Sequence, residues 1–187
     1  MALTSLQLQR IMIYARASRV DELLPHFNAA LPEARIDSPL RAAMWCAQLG
    51  HETASLRYLE ELAGGVAYDP VVNPKLAARL GNTQSGDGAR YKGRGAIQLT
   101  GRANYAHASA ALGLPLEELP ELAALPENAF RIAAWFWTTH GLNLFADKGE
   151  LEKCTRVING GLNGLLERHK YYDRACEVLG VLNLYST

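Results

Sequence analysis

The sequence predicts an all-α fold of roughly eight helices, interrupted once by a glycine-rich loop. Two observations point to helices: polar cap residues and prolines recur before apolar runs of helical period, and no turn dipeptide separates two alternating strands. A third marks the interruption, since five glycines stand among polar residues between Gly81 and Gly95.

Taken in order, Thr4-Ser5-Leu6-Gln7 reads as a full capping box opening the first helix. Ser18-Arg19-Val20-Asp21 reads as the next N-cap, followed by the apolar face Leu23, Leu24, Phe27 and Leu31, with Pro25 expected in the first turns. Ser38-Pro39, a cap followed by proline at the first helical position, opens Leu40 to Leu49. Asn73-Pro74 repeats that device, and Gly81 closes the short helix it starts. The stretch Gly81 to Gly95 is expected to be loop throughout, and Ala96 to Thr100 at most a short extended piece. Helical pattern resumes near Ala103 and ends at Gly113. Pro126 opens a helix from Glu127 to Thr139 closed by Gly141, its Trp135, Phe136 and Trp137 mainly core. Glu150 to Val157 and Leu165 to Leu179 complete the set.

Composition excludes several classes. The 187 residues fit one domain, 1–187, or one domain with two lobes, and no linker is long enough to split them. Nineteen basic residues balance nineteen acidic ones, so no whole-molecule field draws the chain to nucleic acid. No apolar run approaches the ~20 residues of a membrane helix. The start lacks a basic n-region, and Arg10, Arg16 and Arg19 interrupt any apolar stretch, so no signal peptide and a cytoplasmic site of synthesis are expected. Cys46, Cys154 and Cys176 lie far apart with no CxxC, which reads as three half-buried free thiols. A monomer without cofactor or metal is expected.

Three places hold chemistry. His51-Glu52-Thr53 ends the Ser38 helix, where Gln48 and Glu52 share a face at i, i+4. HExxH would need histidine at 55, where the chain has Ser55, so a zinc site is not expected. A carboxyl on the inner edge of so apolar a helix would be desolvated and its pKa raised, as a general acid requires, although most glutamates at helix ends simply face water. Glu60-Glu61 follows; nine residues of unbroken helix would put Glu52 and Glu61 on opposite sides, so they can act together only if the helix ends near Thr53-Ala54-Ser55. The third place is Tyr91-Lys92-Gly93-Arg94-Gly95-Ala96-Ile97-Gln98-Leu99-Thr100, followed by Gly101-Arg102-Ala103-Asn104-Tyr105. It lacks the third glycine of a dinucleotide loop. It reads as backbone approaching a polymer, with Tyr91, Gln98, Thr100 and Asn104 supplying hydrogen bonds and Arg90, Lys92, Arg94 and Arg102 positive charge, or as a solvated basic loop.

These segments, with Ala133-Ala134-Trp135-Phe136-Trp137, Thr155-Arg156-Val157-Ile158-Asn159-Gly160-Gly161 and Arg168-His169-Lys170-Tyr171-Tyr172, resemble in order the blocks of glycoside hydrolase family 19, the chitinase-like group that includes phage and prophage endolysins. The resemblance runs from about Ala42 to Gly180. It implies a lysozyme-like helical domain with two lobes flanking a substrate cleft, the helices of residues 1–37 packed on it and room for a small wall-binding lobe. It implies an inverting hydrolase with Glu52 as general acid and Glu61 as general base, their carboxyls ~6.5–9.5 Å apart. Thr100 would help hold the attacking water; His51, Tyr91, Gln98, Asn104 and Asn159 would contact sugar, and Arg168 would pair with the carboxylates. Ala54-Ser55-Leu56 departs from the family's Gly-Gly-Phe and Leu62-Ala63-Gly64-Gly65 from its Asn-Leu-Asn-Tyr, which leaves Glu60 as an alternative base. The scattered cysteines do not reproduce the disulfides of plant chitinases, and the basic loop suits the anionic groups of muramic acid, so the expected polymer is bacterial peptidoglycan, cut as an endolysin cuts it. The alternatives are a chitinase, an inactive sugar-binding module, and a zinc amidase acting on the stem peptide.

Overall fold

The computed structural model describes residues 1–182. In these residues the chain forms ten α-helices and no strand: α1 (Ser5–Ile11), α2 (Ala17–Glu33), α3 (Pro39–Glu52), α4 (Pro74–Leu80), α5 (Asp87–Arg90), α6 (Arg102–Leu112), α7 (Pro126–Thr139), α8 (Asn143–Ala146), α9 (Leu151–Asn159) and α10 (Leu165–Leu179). Two 3-10 turns, Val66–Tyr68 and Pro120–Ala124, and two isolated bridges that pair Arg94 with Glu60 and with Leu99 complete the regular structure. The helices divide into two compact units, one of residues 1–57 with the chain from Phe136 onward, the other Tyr58–Trp135.

In the first unit the core is aromatic and aliphatic. Trp45 of α3 meets Phe27 of α2 and Trp137 of α7 edge to face at 6.3 and 5.2 Å, geometry that adds to the area such rings bury. Trp137 is fully buried, whereas Trp135 and Phe136 are half-buried. Helices α3 and α10 pack closely, because a β-carbon at Gly50 would stand 2.8 Å from the Tyr171 ring.

The capping box at Thr4 and the Ser38 cap form as expected. The second helix differs. It begins at Ala17 with Arg16 as an uncapped N-terminus, so Ser18 lies inside the first turn, and Pro25 and Pro32 lie within the helix rather than in its first turns. Each proline removes a backbone donor; the buried face Val20, Leu23, Phe27 and Leu31 holds the helix together across them.

Helix α3 ends where the functional argument requires. Ala54, Ser55 and Leu56 have φ of 49, 69 and 63°, three consecutive left-handed non-glycine residues, a conformation that costs about 1–2 kcal/mol per residue. Their surroundings hold them there. The Thr53 hydroxyl donates to the Leu49 carbonyl and accepts the Leu56 N–H, the Ser55 N–H donates to the Gly50 carbonyl at 2.7 Å, and the Ser55 hydroxyl meets the Tyr171 hydroxyl at 2.9 Å.

In the second unit the stretch expected to be all loop contains one helical turn, α5. Asp87 builds it: its carboxylate accepts N–H groups from Thr83 and Gln84 and takes Arg102 through two nitrogens at 2.5 and 3.0 Å. Burial pushes this carboxyl up, but Arg102 and the two N–H donors outweigh it, and its pKa lies below the usual value. The unfolded state therefore binds the proton more readily, and the stability Asp87 contributes is complete above about pH 4 and lost as pH falls through its depressed value. Asp87→Asn is expected to lower the melting temperature at pH 7 and to flatten its fall between pH 5 and 2, as read by circular dichroism. Ala96 to Thr100 forms a turn rather than an extended piece. Arg94 and Leu99 exchange backbone hydrogen bonds at 3.1 and 2.8 Å, and Gln98 is left-handed with φ 55°.

All three thiols are fully buried rather than half-buried, and burial raises their pKa values, to about 12 for Cys154 and about 11 for Cys176.

Candidate active site

Each unit carries one of the two carboxylates. In the first, Glu52 occupies the last position of α3, and its carboxylate accepts a hydrogen bond from Arg168 of α10. The expected apolar wall is replaced by a guanidinium. Arg168 is fully buried, while the Glu52 side chain keeps 13% exposure. A second arm of Arg168 donates to the Gln48 amide oxygen at 2.5 Å, and the Gln48 amide nitrogen donates to the Thr155 hydroxyl at 3.2 Å. His51 turns to Glu167 at 2.6 Å, its ring lying where a β-carbon at Gly164 would overlap it. Asn159 is the exposed last residue of α9.

In the second unit Glu61 is half-buried. One carboxylate oxygen accepts the Gly93 N–H at 3.0 Å and the other the Tyr68 hydroxyl at 3.1 Å. The backbone reinforces this, since Glu61 N–H donates to the Gly93 carbonyl at 2.9 Å. Glycine at 93 leaves room for these side chains: a β-carbon there would stand 2.8 Å from Gln98 Oε1, 3.1 Å from Glu61 Oε2 and 3.4 Å from Thr100 Oγ1, and would displace the end of the Gln98 side chain. Three oxygens from three residues thus gather around one backbone position. The Thr100 hydroxyl donates to the Gln98 carbonyl and exposed Asn104 donates to the Thr100 carbonyl, so the turn ties its own polar side chains into place.

Glu60, one residue earlier, is placed differently. Its exposed carboxylate meets both Lys92 and Arg94 at 3.1 Å. Burial pushes it up, but the Lys92 hydrogen bond and the two positive charges more than offset this, and its pKa lies below the ordinary value.

Two expectations need correction. Tyr91 is not available to a polymer: it is 1% exposed, its hydroxyl donates to the Glu117 carbonyl, and Arg102 lies over its ring at 4.7 Å. Nor is the glycine-rich stretch a free cationic surface. Lys92 and Arg94 are paired with Glu60, Arg102 with Asp87, and Arg90 donates to the carbonyls of Glu117 and Glu118. The carboxylates that neutralise it are Asp87, within the stretch, and Glu60, well before it, a pairing the sequence alone does not reveal.

Sequence reasoning missed Tyr68, Thr155 and Gly164 as supports, and saw Gln48 only as a neighbour of Glu52 on one helix face. Gln48 carried a signal, a polar residue inside the apolar run Met44 to Leu49; Tyr68 carried none. Among the described residues no cluster of His, Cys, Asp or Glu is suited to hold a metal, and no helix is long and apolar enough to cross a membrane.

The family model described as chitinase class I, glycoside hydrolase family 19, matches residues 40–150, more than half of the chain. The chain belongs to glycoside hydrolase family 19. It is 36% identical over 170 residues to a glycosyl hydrolase family 19 domain-containing protein of Haemophilus influenzae, covering 78% of this chain and 83% of that one. It is also 36% identical over 146 residues to an endochitinase of Arabidopsis thaliana, covering 74% of this chain but 48% of that protein, so the chain spans about half the length of this plant relative. Among solved structures, a bacterial family 19 chitinase superposes with a TM-score of 0.74 at 23% identity over 96% of both chains. A class IV chitinase of Zea mays superposes with a TM-score of 0.70 at 24% identity, over 97% of this chain and 96% of that one. The fold of this family 19 member is the all-α, lysozyme-like one, and the chain is a chitinase-like glycosidase.

Proposed function

We propose that the chain is an inverting glycosidase that cleaves β-1,4 bonds between the N-acetylated amino sugars of bacterial peptidoglycan. Glu52 protonates the glycosidic oxygen and Glu61 takes a proton from the attacking water. The observation that carries this reading is the setting of Glu61. Each of its oxygens is fixed by one donor, Gly93 N–H or Tyr68 hydroxyl, and each keeps a lone pair to accept a proton from water. Gln98 and Thr100 oxygens stand beside it to share that water. Glu60 is already committed to two cations, which supports Glu61 over its neighbour as base.

Two features support peptidoglycan as the polymer. The three cysteines are free and buried, the state of a chain folded under reducing conditions rather than of a disulfide-stabilised secreted chitinase. A relative matched over 78% of this chain and 83% of its own length is bacterial. The charge of the glycine-rich stretch no longer adds to this, since its cations are internally paired. Chitin is the second reading, favoured by the endochitinase relatives.

The test is to digest purified sacculi and soluble chitin oligomers side by side. We expect new reducing ends from sacculi, identified by borohydride reduction and mass spectrometry, with the α anomer appearing first in proton NMR spectra. Turnover of chitin alone would move the assignment to the second reading. A β-anomeric product would remove the inverting mechanism, and release of peptides without reducing ends would replace the glycosidase with an amidase.

A further inference from the structure

We infer that Gln48 and Thr155 are positioning residues that aim Arg168 at Glu52, so that the acid's hydrogen-bond geometry is set two residues back from the substrate; this rests on the reading of Glu52 as general acid. Gln48 lies one turn before Glu52 on α3, on the same face, and is fully buried. Its amide orientation is fixed from both ends. The oxygen must face Arg168, which can only donate, and the nitrogen faces the Thr155 hydroxyl, which is also fully buried. Met44 Sδ, at 3.9 Å, is the weaker second acceptor for that nitrogen.

A neutral acceptor at this place has a distinct consequence. Arg168 is a buried cation whose Nε has no partner, so its orientation depends on the bonds of its two terminal nitrogens. One goes to Gln48 and one to Glu52. Gln48 anchors the guanidinium without adding a negative charge, which leaves Glu52 as the carboxylate that Arg168 serves in this unit. Desolvation makes these bonds strong and geometrically strict. If Gln48 lets go, the guanidinium turns, and the proton on Glu52 is no longer aimed at the glycosidic oxygen. That proton passes to the oxygen as the bond from carbon to oxygen breaks, and general-acid assistance of this kind is worth about 10²–10⁴-fold.

The test exploits the leaving group. A dinitrophenolate departs without being protonated, so a defect confined to the acid's geometry disappears on an activated aryl glycoside. Gln48→Leu, Thr155→Val and Thr155→Ser would be assayed on whichever of sacculi or chitin oligomers the parent chain cleaves and on a 2,4-dinitrophenyl β-glycoside of the same N-acetylated sugars, with folding followed by circular dichroism. We expect Gln48→Leu and Thr155→Val to lower kcat about 10–100-fold on the natural polymer with KM little changed, and less than about threefold on the aryl glycoside. Thr155→Ser, which keeps the hydroxyl, restores the rate. Because Thr155→Val preserves the shape of the side chain, it carries the test if Gln48→Leu does not fold. Equal losses on both substrates, a change in KM alone, or no loss would overturn the inference. Glu52→Gln serves as reference: if its loss is itself the same on both substrates, the acid assignment fails first and takes the inference with it.

Discussion

Glu61→Gln is expected to lower turnover by about 10³-fold with little change in KM, since it removes the group that accepts the proton from water while leaving the hydrogen bonds around it largely intact. Glutamine at 61 still accepts from Gly93 N–H or the Tyr68 hydroxyl, so the fold around residue 93 persists. Glu60→Gln is expected to keep activity within about fivefold, because the Glu60 carboxylate is engaged by Lys92 and Arg94 rather than held open to water, and the amide still accepts from Arg94. Initial rates of reducing-end release from sacculi, with melting curves of both variants, check the pair. The opposite ranking would shift the base by one residue.

Arg168→Met is expected to destabilise the chain by about 3–5 kcal/mol, because it leaves the buried Gln48 oxygen and the mostly buried Glu52 carboxylate without their shared donor. At roughly 2–4 °C per kcal/mol for a chain of this size, the melting temperature should fall by about 6–20 °C. Calorimetry supplies a second check. The double variant Arg168→Met with Gln48→Leu should melt above the single one, since replacing both members of a buried polar pair by apolar groups relieves the unsatisfied acceptor. A single variant that melts like the parent would show that the guanidinium is not the cation holding these groups.

Local signals in the sequence foretold much of the helical framework. The Thr4 box, the Ser38-Pro39 and Asn73-Pro74 starts and the glycines 81 and 113 all act within one turn of chain, and each forms where its neighbours dictate. The misplaced start at Ser18 arose because Arg16 begins the helix without a side-chain cap, which no polar residue announces. The turn α5 was hidden because glycine composition argues against a helix, while the groups that stabilise it, Asp87 with Arg102 and two backbone donors, are brought together by tertiary folding. The same limit governs the candidate site. Glu52 and Glu61 could be singled out by residue type and motif, but Tyr68 reaches Glu61 across an irregular segment and Thr155 lies beneath Gln48 across 107 positions, and neither contact is announced by a periodic pattern.

The buried sulfurs have a practical corollary. With Cys46, Cys154 and Cys176 inaccessible and their thiolates disfavoured, maleimide dyes should leave the parent chain unmarked while it stays folded. Cysteines introduced at exposed Leu144 and Val71, one in each compact unit, would then be the reactive handles. A dye on either one would mark that unit alone and follow its local response when an oligosaccharide is added, without first stripping the native thiols from the interior.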